Sequence, residues 1–415
     1  MNENLRKKYS FDWNLLEVLL TGKSLIDTDT GLSGFSIRTL EDADRFIKSY
    51  GYDLTDPIEM AEALGNFHES IDFIRKFFLK PENSEGLDFE IPKKILEITD
   101  IRNLLLMANF SYPGQAKDTQ GMILQRWACS ILKVVHTIAH MDKDIRYTYF
   151  SEIQTQILDR FYKHIHRTDE GLLYLGKKSD DLFRVDLIEF ETKPRKSRSS
   201  VLLKLLHKKE NVAESIFDEV GVRFITHNRT AALRVVKYLK DEMIIMPANV
   251  KPSRSRNSLL NLTAIEERLP GLLVKLDSEQ LSPEEFEREL EIVSEAVEDA
   301  HENPHSSRFY RSLQFTCRQL IKLKNPLFED IRELKKLSKK QEMSEEVLRI
   351  ISRADLKYIP REIRFFYPFE VQILDQMSAD ESKKGISAHS TYKQSQIQSA
   401  LKRVMSALIN NEIKS

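Results

Sequence analysis

Apolar residues recur every three to four positions through the first part of the chain. Leu124, Ala128, Ile131, Leu132, Val135 and Ile138 fall on one helical face, as do Ile153, Ile157, Phe161 and Ile165. Residues 1 to about 166 are therefore expected to be mostly helical, with loops at Thr28–Gly34 and Ser111–Gly114. Near residue 183 the period shortens to two. The run LFRVDLIEFET, ending at Thr192, predicts one or two strands, and Val201–Leu206 a short helix carrying basic residues. Ile216–Thr226 has the pattern of a buried strand. Asn228–Lys240 predicts an amphipathic helix with Ala231, Leu233, Val236 and Leu239 spaced for a core.

Residues 250 to 303 interrupt this pattern and have the character of an insertion. KPSRSRNS is polar and basic, as a loop would be, and Ser282-Pro283-Glu284-Glu285 is a capping box with proline at the first helical position. It opens a charged helix expected to run to about Glu302. Further helices are expected over Phe328–Leu337 and from Ser344. The strand pattern resumes in REIRFFYPFEVQIL, where Phe369, Val371 and Ile373 alternate with Glu370 and Gln372. A last helix is expected from Gln394 to Asn410. Strand, helix, strand succession argues for an α+β fold, a mixed β-sheet with flanking helices preceded by an all-helical N-terminal region. The expected domains are 1–166 and 167–415, the second holding the insertion at about 250–303. No internal repeat or low-complexity tract is present.

Composition narrows the class. With 415 residues, 41% hydrophobic and 31% charged, the chain is expected to be globular. Lys and Arg (63) balance Asp and Glu (64), so whole-molecule charge gives no general drive toward nucleic acid or membranes. The two cysteines, Cys129 and Cys317, are too few for a disulfide framework, and reduced thiols are expected. No signal peptide and no apolar run of roughly 20 residues is visible, so a cytoplasmic protein with no membrane partner is expected.

Four stretches carry candidate chemistry. Lys193–Lys209 holds seven Lys or Arg and no acid, and Ser200 and Lys204 share a helical face. Such a patch is either a solvated basic surface or a seat for a polyphosphate, whose crowded oxygens take charge-assisted contacts. Asp218 stands at the start of an otherwise apolar strand and needs a partner: Arg223, a lysine of the patch, or a metal. Glu370 and Gln372 point the same way from the last strand. Two acids on separate strands facing one cleft are what Mg²⁺ needs beside phosphate oxygens; an edge strand with one wet face is the plainer reading, but Arg361–Tyr367 before it is rich in β-formers, which points to a long internal strand. Tyr310 leads into alternating residues, placed to stack on a base or simply to pack.

The order of these stretches resembles the synthetase domain of the RelA/SpoT family of alarmone synthetases. IFDEVGVRFI is similar to the family's metal-acid strand, placing Asp218 at a ligand position. YRSLQ is similar to its tyrosine-x-serine-x-histidine strand, with Tyr310 at the base-stacking position. FEVQI is similar to its Glu-x-Gln strand, and GISAHSTYK, Gly385 to Lys393, to its closing motif. The likeness covers roughly Leu187–Gln396, outside the 250–303 segment. It implies a nucleotidyltransferase-like fold and transfer of pyrophosphate from ATP to the 3′-hydroxyl of a guanine nucleotide, with Mg²⁺ as cofactor. It further implies Asp218, Glu370 and Gln372 as catalytic, with Asp218 and Glu370 on the metal. Lys193, Arg195, Ser200, Lys204 and Arg223 would bind ATP, and Tyr310, Ser312, Gln314 and His389 the acceptor. Three positions depart from the family pattern: Phe309 for glycine, Gln314 for histidine and Leu374 for arginine. In the family these positions sit near the acceptor, so the resemblance implies that the departures bear on guanine specificity.

Two rival readings stay open. The acceptor is an adenine nucleotide or the 3′ end of tRNA, for which Lys251–Arg256 and Arg308–Arg311 supply phosphate contacts. Alternatively the domain is a nucleotide sensor without catalysis. No histidine is followed by aspartate, the doublet of the family's hydrolases, so hydrolase activity is not expected. His136 and His140, four apart on a helix, have metal-ligand spacing but read as structural.

Overall fold

Short polar side chains open many of the helices. Asp56, Asp100, Asp118, Asn228, Asn261 and Asn325 each accept a backbone N–H from the first turn of the helix that follows. Ser282 and Glu285 form the reciprocal capping box expected of them. The computed structural model describes residues 37–178, 180–193, 195–207, 220–295, 311–340, 344–353, 356, 360–384 and 386–412, with Leu20 and Ile26. The protein is a mixed α+β chain that divides into two compact units. One comprises Met1–Tyr147, Lys196–Ile216 and Ser387–Ser415, the other Thr148–Arg195 and Phe217–Ile386.

The first unit is helical where it is described. Its long helix, Thr119–Asp142, is buried on most sides and packs against Pro57–Phe78, Ile101–Ala108 and Arg198–His207. Trp127, Ala128, Ile131, Leu132 and Ile138 meet Phe67, Ile71, Ile74, Leu104 and Leu105 in one core. The same core takes Leu202, Leu203 and Leu206 from the short basic helix, and Ile397, Leu401 and Val404 from the helix Ile386–Val404. Lys133, buried in the long helix, donates from Nζ to the carbonyl of Arg403 at 3.3 Å.

The second unit is a seven-stranded mixed sheet. Its strands are β1 (Ile165–Arg167), β2 (Leu173–Lys177), β3 (Asp180–Thr192), β4 (Gly221–Thr226), β5 (Arg256–Asn257), β6 (Leu313–Lys324) and β7 (Glu362–Asp375). They lie in the order β1-β2-β3-β4-β7-β6-β5. Among the described strands only β4 and β7 run parallel; every other neighbouring pair is antiparallel. Val222, Phe224, Phe369, Val371, Ile373, Leu313 and Cys317 point to one face. The helices Phe150–Tyr162 and Arg229–Asp241 cover it with Ile153, Ile157, Phe161, Ala232, Val235 and Leu239. Phe161 packs edge-on to Phe369, ring centres 5.8 Å apart.

The pattern reading differs from the fold at several elements. Ile165 leaves the helical stripe for β1, after a helix that ends at Tyr162. The buried face of Arg229–Asp241 centres on Ala232, Val235 and Leu239, and Ala231, Leu233 and Val236 are only partly covered. The basic stretch expected as a loop contributes the two-residue edge strand β5, because Arg256 and Asn257 pair with Gln314 and Leu313. The capping-box helix stops at Val293, with Ser294 as its C-cap. Leu262–Asp277 is an additional helix with Pro270 inside it. The helices Pro326–Leu337 and Glu345–Arg353, inserted between β6 and β7, have no buried residue among those described. The single helix expected over 394–410 is Ile386–Val404 followed by Ser406–Glu412.

Candidate functional site

Strand alternation places Glu370 and Gln372 on the face of β7 opposite the core. Both are internal, because residues 370–373 of β7 lie between β4 and β6. Glu370 is only 5% exposed and Gln372 is equally buried, so the wet edge is not what this stretch forms.

Register builds a polar row across five strands. Glu191 of β3 faces Arg223 of β4, which faces Gln372; Gln372 faces Gln314 of β6, which faces Arg256 of β5. Arg223 ties the row together: its Nε donates to Gln372 Oε1 at 2.9 Å and its Nη1 to Glu191 Oε2 at 3.0 Å. The guanidinium fork suits two oxygen acceptors at once, and it neutralises Glu191.

One step along the strands, Gly221 faces Glu370 and Glu370 faces Thr316. Lys193 follows β3 directly. Its backbone N–H donates to the Gly221 carbonyl at 2.8 Å, and its Nζ stands 3.0 Å from Glu370 Oε1. A buried carboxylate without a cation costs several kcal/mol, and Lys193 removes that cost. A Cβ placed on Gly221 would come within 2.7 Å of Lys193 Cδ, so the lysine stem crosses β4 where that strand has no side chain.

Of the residues proposed from sequence, the structure brings Lys193, Arg223, Gln314, Glu370 and Gln372 to neighbouring positions of one sheet face. Ser312 is buried at the start of β6, its backbone amide donating to Ser258 Oγ at 3.0 Å. Arg195 lies in the same unit, its guanidinium 4.8 Å from the Phe150 ring centre. Ser200 and Lys204 belong to the helical unit, on the helix Arg198–His207. Asp218, Tyr310 and the side chain of His389 lie outside the described residues. Leu374 is 1% exposed and packs with Ile225 and Ala379.

Sequence reasoning passed over Glu191 and Gly221. The first was signalled by the alternation of Glu189 and Glu191 with apolar residues in β3. The second was signalled by a glycine inside a strand pattern, which marks a close approach. Cys317 is on the core face, and burial pushes its thiol up, away from nucleophilic use.

The donor chemistry at Glu370 fits a hard cation such as Mg²⁺, with one carboxylate group to offer. Among the described residues no group of three or more His, Cys, Asp and Glu side chains stands ready to hold a metal. His136 and His140 of the helical unit pack edge to face, ring centres 4.5 Å apart, and Tyr50 bonds His136 through its hydroxyl. No helix among the described residues is long and apolar enough to cross a membrane. The chain matches no protein-family model, no curated protein and no solved structure.

Proposed function

We propose that the sheet-bearing unit is a Mg²⁺-dependent pyrophosphokinase, moving pyrophosphate from ATP to the 3′-hydroxyl of a purine nucleotide, guanine first. The observation that carries this reading is the buried Glu370 carboxylate on an internal strand, held by Lys193 and flanked by the Arg223–Gln372–Glu191 row. Lys193, Arg223, Glu370 and Gln372 are among the residues to which the RelA/SpoT resemblance would give a role; Glu191 is not.

Phosphoryl-type transfer needs positioning and charge neutralisation more than covalent chemistry. Lys193 and Arg195 bind the donor phosphates, and Arg223 orients Gln372. Glu370 accepts the proton of the attacking hydroxyl or holds the metal together with Asp218. Mg²⁺, when bound, neutralises charge on the phosphates. Tyr310, Ser312, Gln314 and His389 serve the acceptor.

The test is incubation of purified protein with labelled ATP, Mg²⁺ and a panel of guanine and adenine nucleotides and tRNA. Labelled product is expected with at least one acceptor, and Asp218→Asn and Glu370→Gln are each expected to lower the rate by at least a hundredfold. No product with any acceptor overturns the reading.

The buried Leu374 favours a second reading, a nucleotide sensor without catalysis. An arginine is expected there, and the observed side chain is closed into an apolar cluster with Ile225 and Ala379. Calorimetry separates the two: tight nucleotide binding without turnover favours the sensor.

A further inference from the structure

The Lys193–Glu370 pair has a feature that its role in folding does not require. Its lysine comes from the residue just after β3 and reaches β7 by passing over the intervening β4. It does so at Gly221, the residue of β4 that faces Glu370. Any larger residue there meets the lysine stem, since an added Cβ would lie 2.7 Å from Cδ and 3.2 Å from both Cγ and Cε. Gly221 has no positive φ, so no backbone conformation calls for glycine. The lysine stem does.

We infer that Gly221 is a positioning residue that seats the Lys193 ammonium on Glu370, and that this ammonium is a displaceable occupant of the place a divalent cation takes. The inference rests on the proposed metal role of Glu370. Physically, a buried carboxylate tolerates one close cation at a time at full strength, and two cations at one oxygen repel each other. Lys193 keeps Glu370 compensated while the site is empty of ligand. It is released when a divalent ion arrives and is then free to meet the phosphates that come with it. The chain has two cations that compete for one acid, and metal loading is correspondingly weak without nucleotide.

Mn²⁺ binding to the full chain, followed by electron paramagnetic resonance without nucleotide, tests this. Circular dichroism spectra matching wild type establish that each variant is folded. Lys193→Met and Gly221→Ala are expected to bind Mn²⁺ about tenfold more tightly than wild type, and Glu370→Gln to bind it at least tenfold more weakly. Thermal melts with and without Mn²⁺ give a second readout: the metal is expected to raise the midpoint of Lys193→Met more than that of wild type. Equal Mn²⁺ affinity in wild type, Lys193→Met and Gly221→Ala overturns the competition while leaving pyrophosphate transfer intact. Unchanged affinity in Glu370→Gln overturns both the competition and the metal role of Glu370. Absence of transfer activity with the expected Mn²⁺ pattern overturns the pyrophosphokinase reading alone.

Discussion

His136 lies in the helical unit beside Tyr50 and His140, next to a cavity of about 60 Å³ lined mainly by apolar side chains. Burial, with a smaller contribution from the charge of His140, pushes its imidazole down to about 4. The unfolded chain takes up that proton near 6.5. Below 6.5 the unfolded state therefore binds more protons than the folded one, and folding weakens as pH falls. The stability is complete above about 6.5, and it is lost progressively down to about 4, where both states are protonated. The gap corresponds to on the order of 3 kcal/mol. Urea unfolding followed by tryptophan fluorescence, with Trp127 buried in the same helix, is expected to show the midpoint dropping between pH 7 and 4.5. His136→Gln is expected to flatten that slope; an unchanged slope removes His136 as its source. At Glu370 the expectation concerns charge balance rather than protons. Lys193→Met strips the cation from a buried acid and is expected to destabilise the sheet unit, whereas Lys193→Met with Glu370→Gln recovers much of the loss, as double-mutant unfolding curves would show.

Single elements depend on a few local contacts. The long helix Thr119–Asp142 begins with Asp118 accepting from the Gly121 amide at 2.7 Å. The chain folds back so tightly there that a Cβ on Gly121 would lie 1.7 Å from the Ala116 carbonyl oxygen. Gly121→Ala therefore forces backbone movement, and a loss of about 2 kcal/mol or more is expected in denaturant titration. Ser282→Ala removes one half of a capping box and is expected to cost about 1 kcal/mol. The capping box was legible because it is local: four residues define it. So were β3 and β7, whose alternation is long, and the helices around Leu124–Ile138 and Arg229–Asp241. Less was legible where pairing partners make the element. β1 and β2 form a short hairpin supported by β3, and β5 is two residues held by β6; neither has a period of its own. The helix Leu262–Asp277 holds Pro270 in its interior, a residue that local pattern reads as a break. At the site, types were legible and neighbours were not. The face shared by Glu370 and Gln372 follows from spacing. That Arg223 would clamp Gln372 to Glu191, or that Lys193 would cross Gly221, depends on strand order that no local pattern encodes.

At the level of the molecule, the two units are interleaved in sequence. The helical unit draws on three separate stretches, and the sheet unit on two. A cut at 166/167 would not separate them. It would remove Phe150, Ile153, Ile157 and Phe161 from the core of the sheet unit and leave Leu202, Leu203, Leu206, Ile397 and Leu401 without the helices they pack on. Residues 167–415 alone are accordingly expected to be insoluble or to bind a hydrophobic dye more strongly than the whole chain. A soluble, cooperatively melting 167–415 fragment would contradict this.

The same interleaving governs how the chain is made. Residues 37–147 leave the ribosome long before Ile397, Ala400, Leu401, Val404, Met405 and Leu408, yet they share one core with them. The early helices must wait, with apolar surface uncovered, while the whole sheet is translated between them. For this protein the nascent chain is the vulnerable species, and a premature stop near its end would cripple the part synthesised first.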